Sequence, residues 1–216
     1  MRGYYAKLGV KLEREDILAT SGGGEALEFI MACILDDGDE LLVPEPFYAN
    51  YNTFTFMSGG VIHPIPTSAD NGYRFADRKL IESQINERTR AILVTNPGNP
   101  TGLVLTHEEM RVIADVVKEH DLFLVADEVY REFIYDDEPM GTFCEMEDIK
   151  DHVIVVDSIS KRFSACGARI GSIISRNRKF MAEAMKLCQG RLCPATIDQL
   201  GAAAMYRSVE PSYFEN

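Results

Sequence analysis

The segment Asp157-Ser158-Ile159-Ser160-Lys161-Arg162-Phe163 places a lysine just after an apolar run, Val153-Ile154-Val155-Val156. A β-branched run of this length predicts a buried strand, so the lysine would lie at the strand's carboxyl end. Ser158 and Ser160 flank it with hydroxyls, and Arg169 adds a fixed cation eight residues further on. An amine can capture an aldehyde, while hydroxyl and guanidinium groups bind an anion beside it. The segment therefore indicates a site for a cofactor bound as a Schiff base.

Outward from this segment, short β-branched runs alternate with amphipathic helical patterns along the chain. A Thr106/Glu109 pair has the spacing of a capping box at the start of one helix. The alternation predicts an α/β fold, with a mostly parallel central sheet and helices on both faces, and such sheets bind ligands at the carboxyl ends of their strands. Strands are predicted at 41–43, 61–65, 91–94, 122–125, 153–156 and 170–174, and helices at 25–35, 77–85, 106–120, 178–188 and 196–207.

Composition narrows the classes of protein. The chain has 216 residues, 46% of them hydrophobic, which suits one domain with a large core. A net charge of −12 argues against nucleic acid or an anionic membrane as partner, because both need a basic face. The five cysteines are irregularly spaced and include no C-x-x-C pair, so we expect reduced thiols rather than a disulfide framework or a metal site. A cytoplasmic location is the resulting expectation.

A glycine-rich turn, Ser21-Gly22-Gly23-Gly24-Glu25, opens the first predicted helix. Glycines at a helix start let backbone N–H groups approach an anion at the positive end of the helix dipole. The alternative is a flexible turn with no ligand. The spacing matches neither a Walker loop nor a dinucleotide-binding fingerprint.

Three further motifs follow predicted strands. The segment 43–51 places aromatic residues, Tyr48 among them, where a flat ring could stack, although such residues also fill cores. The segment 95–102 describes a rigid turn that could present Asn99 to a cavity, with a candidate cis bond at Asn99–Pro100.

The third motif is Asp127-Glu128-Val129-Tyr130. A carboxylate at a buried strand end is costly unless it is paired, and a protonated heteroaromatic nitrogen would pair Asp127. The alternative is that Asp127 only caps a helix. Glu128 is expected to be solvated or to support its neighbour.

Taken together, these motifs resemble the class I/II aminotransferases, the fold-type I pyridoxal-phosphate enzymes, and within them the aspartate aminotransferase-like branch. The matching order is Ser-Gly-Gly-Gly-Glu-Ala-Leu, Pro-Glu-Pro-Phe-Tyr, Asn-Pro-Gly-Asn-Pro-Thr-Gly, Asp-Glu-Val-Tyr and Ser-Ile-Ser-Lys with Arg169. The resemblance covers essentially the whole chain. It implies a pyridoxal-phosphate-dependent transfer of an amino group between an amino acid, with aspartate as the candidate, and a 2-oxo acid.

The resemblance also implies a role for each site residue. Lys161 would form the Schiff base and then move the substrate's proton, and Asp127 would keep the pyridine nitrogen protonated. Tyr130 and Asn99 would hydrogen-bond the phenolic oxygen, and Tyr48 would stack on the ring. The phosphate would be bound by Gly23, Gly24, Ser158 and Arg169.

The family's chains are nearly twice as long as this one. We therefore expect residues 1–216 to be the large, cofactor-binding domain alone, without the family's N-terminal arm and C-terminal small domain. The parent would be a homodimer, and turnover by this shorter chain is expected to be poor or absent. The position of Arg191 is similar to that of an arginine that binds a substrate carboxylate in the family, but the favoured interpretation is a surface arginine. Cys166 is near Lys161 in the sequence, and we do not expect it to have a function.

Two alternatives to amino-group transfer stay open. The same Lys161 and Asp127 would serve a carbon–sulfur lyase or a synthase of the same fold, because the substrate's pose selects the bond that breaks. A non-catalytic module that only binds pyridoxal phosphate is the third possibility.

Overall fold

A seven-stranded sheet organises the computed structural model, which describes residues 1–135, 140–209 and 211–214. Its strands, β1 to β7 in chain order, are Ile17–Thr20, Glu40–Pro44, Val61–Ile65, Thr89–Thr95, Phe123–Asp127, Val153–Ser158 and Gly171–Ser175. The helices, α1 to α8, are Arg2–Lys7, Gly23–Ile34, Asn50–Met57, Arg78–Glu82, His107–Glu119, Ile159–Arg162, Arg178–Arg191 and Thr196–Ser208.

The strand order is β1-β7-β6-β5-β4-β2-β3. Strands β2 to β6 run parallel, whereas β7 is antiparallel to β6 and β1 is antiparallel to β7. The mostly parallel sheet predicted from the alternation of elements is confirmed. Parallel strands need crossover connections, and those connections supply the helices that cover the sheet.

Both faces of the sheet are covered by apolar side chains. One core cluster joins the sheet to α1, α4 and α5, and a second joins its other face to α2, α3 and α7. A smaller third cluster packs α6 against α8 through Ile159, Phe163 and Ala202. Helix α5 begins with the predicted capping box: Thr106 Oγ1 accepts from the Glu109 N–H at 3.1 Å, and a Glu109 carboxylate oxygen accepts from the Thr106 N–H at 2.9 Å.

Four elements of the structure were not predicted from the sequence patterns. Strand β1 and helices α1 and α6 are four to six residues long, which is too short for a periodicity to register. Helix α3 is rich in aromatic residues and threonine, which are weak helix formers, and it leaves Phe56 and Met57 exposed. Among the described residues, no helix combines the length and apolar character needed to cross a bilayer.

Candidate active site

The carboxyl ends of the central strands meet at one edge of the sheet. In register, Thr95 at the end of β4 pairs with Asp127 at the end of β5, and Asp127 pairs with Val156 of β6. Strand β6 continues for two more residues, and helix α6, which contains Lys161, begins at the residue after the strand ends. The sheet thus brings three motifs that are distant in sequence to a common edge.

A cavity of about 180 Å³ opens at this edge. It is lined by all nine residues that the sequence singled out: Gly23, Gly24, Tyr48, Asn99, Asp127, Tyr130, Ser158, Lys161 and Arg169. Ser160, which the sequence places beside Lys161, also lines it, as do Tyr51 and Cys166, which sequence reasoning did not assign to the site. The Asn99–Pro100 peptide bond, a candidate cis bond from the sequence, is cis, and so are Glu45–Pro46 and Asn96–Pro97.

Asp127 lies at the floor of the cavity and is only 5% exposed. The Tyr51 hydroxyl donates to Asp127 Oδ2 at 2.8 Å, and the Val129 N–H donates to Oδ1 at 3.3 Å. Burial raises the pKa of Asp127 to about 6, and these two hydrogen bonds oppose the rise. A carboxylate of this kind gains by pairing with a cation brought in by a ligand.

Lys161 and Tyr130 face each other across the cavity. The Lys161 ammonium lies 5.7 Å from the centroid of the Tyr130 ring. The Asn99 side-chain amide donates to the Tyr130 hydroxyl at 3.4 Å. An amine, a phenol and an amide therefore converge on one volume, with the Asp127 carboxylate beneath them.

The glycine turn forms a third wall of the cavity, pressed against Arg169. Gly22 has φ +92°, and a Cβ added there would lie 2.8 Å from Arg169 Cζ. A Cβ on Gly171 would lie 2.7 Å from the Gly23 nitrogen, so β7 and the start of α2 approach at backbone contact. The Arg169 guanidinium donates to the Ser21 carbonyl at 3.2 Å and to the Cys166 carbonyl at 2.9 Å.

This wall has the chemistry of an anion site. N–H groups in the first turn of a helix have no carbonyl partner within the helix, and here the start of that helix lies against a guanidinium. Ser158 caps α6, because its Oγ accepts from the Ser160 N–H at 3.1 Å. Its hydroxyl lies 2.9 Å from Ser160 Oγ, which adds a second hydroxyl to the same wall.

Three residues near the site differ from the sequence expectations. Arg191 does not line the cavity: it pairs with Glu25 at 3.1 Å and donates to the Ala19 carbonyl at 3.0 Å. Its side chain is 19% exposed, so it lies only partly at the surface. Cys166 is exposed and lines the cavity.

Glu128 is not solvated. It is fully buried, forms an ion pair with Arg131 and accepts hydrogen bonds from Thr142 and from the Phe143 N–H. These contacts connect the end of β5 to residues 142 and 143.

Comparisons with known proteins agree with the geometry. Residues 3–213 match the family described as Aminotransferase class I and II. An aspartate aminotransferase of Pyrococcus abyssi is 32% identical over 89% of this chain and 49% of that protein. The aspartate/prephenate aminotransferase of Thermus thermophilus is 32% identical over 88% of this chain and 49% of its own length.

The fold comparison extends this result to a solved structure. The aromatic aminotransferase of Pyrococcus horikoshii superposes with a TM-score of 0.90 at 29% identity, covering 96% of this chain and 56% of that one. The chain thus spans about half the length of the relatives that it matches.

Proposed function

Because this chain belongs to the class I and II aminotransferases, we propose that the whole protein transfers an amino group between an amino acid and a 2-oxo acid. The observation that carries the proposal is a single cavity shared by the Lys161 amine, the Asp127 carboxylate and the glycine turn. Aminotransferases of this class use pyridoxal phosphate, and that cofactor needs an amine, a carboxylate and an anion site in one place.

The anion wall fits the phosphate of this cofactor. Gly22 leaves the room that the Arg169 guanidinium occupies, and no residue with a Cβ could replace it without displacing Arg169. The N–H groups of Gly23 and Gly24, the Ser158 hydroxyl and the Arg169 fork would hold the phosphate oxygens. All four groups are hydrogen-bond donors, as an anion requires.

The opposite end of the cavity fits a protonated pyridine. Asp127 is an acceptor at a buried position, and a pyridinium N–H would give it a directly bonded charged partner. Tyr130 and Asn99, which line the cavity, would donate to the phenolic oxygen, and Tyr48 would cover one face of the ring.

The residues divide the chemistry as follows. Pyridoxal phosphate, when bound, supplies the electron sink for the pair released at the substrate's α-carbon. Lys161 Nζ would hold the cofactor through its aldehyde group and, once free, would accept the substrate's α-proton. Asp127 would hold a proton on the ring nitrogen, and the 2.8 Å hydrogen bond from the Tyr51 hydroxyl orients this carboxyl.

We propose aspartate as the first amino donor to test, because relatives in Pyrococcus abyssi and Thermus thermophilus carry aspartate in their names. A cytoplasmic homodimer is the proposed state of the whole protein. Five free cysteines support a reducing compartment, and exposed Leu192, Ile197 and Leu200 around the α7–α8 turn support a subunit contact. Light scattering on the purified protein measures that state.

A half-reaction tests the proposed activity. The protein is loaded with pyridoxal phosphate, L-aspartate or L-glutamate is added, and the absorbance of the Lys161-bound cofactor is followed. Conversion to the amino form of the cofactor supports transfer. Release of pyruvate with ammonia or a thiol would assign a lyase, and an unchanged spectrum would leave a module that only binds the cofactor.

A further inference from the structure

A cluster of buried charged and phenolic groups lies behind the cavity, and the proposed chemistry uses none of them. At its centre is Arg162, whose side chain is 0% exposed. Its Nη1 donates to Asp157 Oδ2 at 2.9 Å and to the Tyr206 hydroxyl at 2.7 Å, and its Nε donates to Glu132 Oε1 at 3.2 Å. The guanidinium also lies 4.1 Å from the centroid of the Tyr4 ring.

Because the charged groups are buried, their ion pairs contribute little net stability to the fold. Two charges removed from water lose hydration that their attraction only partly restores, and an apolar replacement is often no worse. What a guanidinium provides and an apolar side chain lacks is direction, since its fork fixes several partners at once. Arg162 has partners in β6, in α8 and in the turn after β5, so it fixes α6 relative to all three.

Helix α6 needs such a connection. It has only four residues, Ile159–Arg162, and a helix of one turn does not hold its orientation without tertiary contacts. Lys161 is the residue immediately before Arg162. Any rotation or shift of this turn therefore moves the Lys161 amine.

Two contacts join α6 to the turn that follows β5. Lys161 faces the Tyr130 ring at 5.7 Å on the cavity side, and Arg162 meets Glu132 at 3.2 Å on the buried side. Lys161 is next to Arg162 in α6, and Tyr130 is close to Glu132 in the turn. The buried Arg162–Glu132 contact therefore sets the distance between Lys161 and Tyr130. We propose that Arg162 is a positioning residue that holds the Lys161 amine at its working distance from Tyr130, an inference that rests on the proposed function.

The test compares Arg162→Lys and Arg162→Met with the wild type for the rate at which Lys161 captures pyridoxal phosphate, followed by absorbance on mixing. Borohydride reduction and peptide mapping confirm the attachment point. Both variants should capture the cofactor about tenfold more slowly or worse, since displacement of a reacting group by an ångström has effects of this size. Affinity for inorganic phosphate should stay at the wild-type value, because the anion wall does not include Arg162.

A matched control separates positioning from loss of stability. Arg88→Met leaves the buried Glu40 carboxylate without its 2.6 Å ion pair at the opposite edge of the sheet. It should lower the melting temperature yet capture the cofactor at the wild-type rate. The proposal is overturned if the Arg162 variants are destabilised in the same way and also capture at the wild-type rate.

Two further measurements keep the proposal testable in all cases. If Arg162→Met does not fold, Tyr206→Phe removes one partner of the guanidinium and should slow capture less than Arg162→Lys. A crystal structure of Arg162→Lys needs no cofactor: Lys161 Nζ should lie farther than 5.7 Å from the Tyr130 ring centroid, and an unchanged distance overturns the proposal. If the wild type itself forms no reducible adduct at Lys161, the proposed function fails instead.

Discussion

The Tyr51 hydroxyl donates to Asp127 Oδ2 at 2.8 Å and lies 2.7 Å from Thr95 Oγ1. Asp127 therefore receives a side-chain hydrogen bond from α3, a helix that the sequence patterns did not reveal. Burial raises the pKa of Asp127, and this bond lowers it, so Tyr51 helps to keep the carboxyl ionised.

Replacing Asp127 by asparagine should stabilise the cofactor-free protein at neutral pH. The unfolded carboxyl has a pKa of 3.8 and the folded one of about 6, so the folded state binds the proton more tightly. Ionisation then costs the folded state free energy as pH rises from 4 to 6, up to about 3 kcal/mol at pH 7. Urea unfolding at pH 4 and pH 7 should show that the free energy of unfolding of Asp127→Asn increases relative to that of the wild type at the higher pH. A pH-independent difference would contradict the assignment.

The variant Tyr51→Phe should move the pH dependence of cofactor binding upward. Without the hydroxyl, the pKa of Asp127 rises further, so the carboxylate that would pair with the ring nitrogen is lost at a higher pH than in wild type. The unpaired groups should also cost roughly 1–3 kcal/mol of stability. Affinity for pyridoxal phosphate, measured between pH 5 and 8, checks the shift. Tyr135→Phe, at a side chain 90% exposed, should behave as wild type.

Removing the amine should separate covalent attachment from binding. Lys161→Ala is expected to lose the yellow chromophore and the borohydride-stable adduct while still binding the cofactor through the anion wall. Lys186→Ala serves as the control, because this exposed lysine pairs with Glu183 on α7, away from the cavity. Mass spectrometry of the reduced protein gives the readout. An adduct that survives in Lys161→Ala would remove Lys161 from its proposed role.

Two glycines with similar positive φ angles separate the effect of backbone strain from that of a collision with a neighbouring side chain. Gly22 has φ +92° and contacts Arg169, whereas Gly38 has φ +80° and open space around it. Alanine at either position should cost roughly 1 kcal/mol or more, because φ is positive at both. Only Gly22→Ala displaces the guanidinium, so only it should weaken binding of phosphate and of pyridoxal phosphate, by about tenfold or more. Equal affinities in the two variants would show that Arg169 does not contribute to the anion site.

The buried Glu128–Arg131 pair should matter far more than a similar pair at the surface. Glu128→Ala leaves the Arg131 guanidinium buried and unpaired, with an expected loss of roughly 3–5 kcal/mol in the free energy of unfolding. Glu183→Ala breaks an exposed pair of the same i,i+3 spacing and should change stability by less than about 1 kcal/mol. Chemical denaturation of both variants tests the contrast.

The strands of the sheet could be predicted because a parallel strand that is buried on both faces has a continuous apolar sequence. The segments 153–156 and 91–94 are examples. The site residues could be predicted because strand ends carry their polar groups in short motifs such as Asp127 to Tyr130. Tyr51 is in the same motif as Tyr48, three residues on, but nothing local marks which ring turns inward.

Other features depend on contacts that have no local signature. The Arg162 cluster joins Tyr4, Glu132, Asp157 and Tyr206, which are far apart in the chain and pair only through tertiary structure. The same is true of Arg191, whose partner Glu25 lies in a distant helix. Spacing along the chain suggested a ligand for Arg191 and could not show a partner inside the protein.

The backbone contact between Gly171 and Gly23 has a consequence for how the cofactor and the fold depend on each other. The two sides of that contact are 148 residues apart in the chain, so an unfolded chain offers the phosphate no comparable site. A ligand that binds only the native state shifts the unfolding equilibrium by mass action, by about 2.7 kcal/mol at a hundredfold excess over Kd. The concentration of free pyridoxal phosphate would then set how much of this chain is folded at equilibrium.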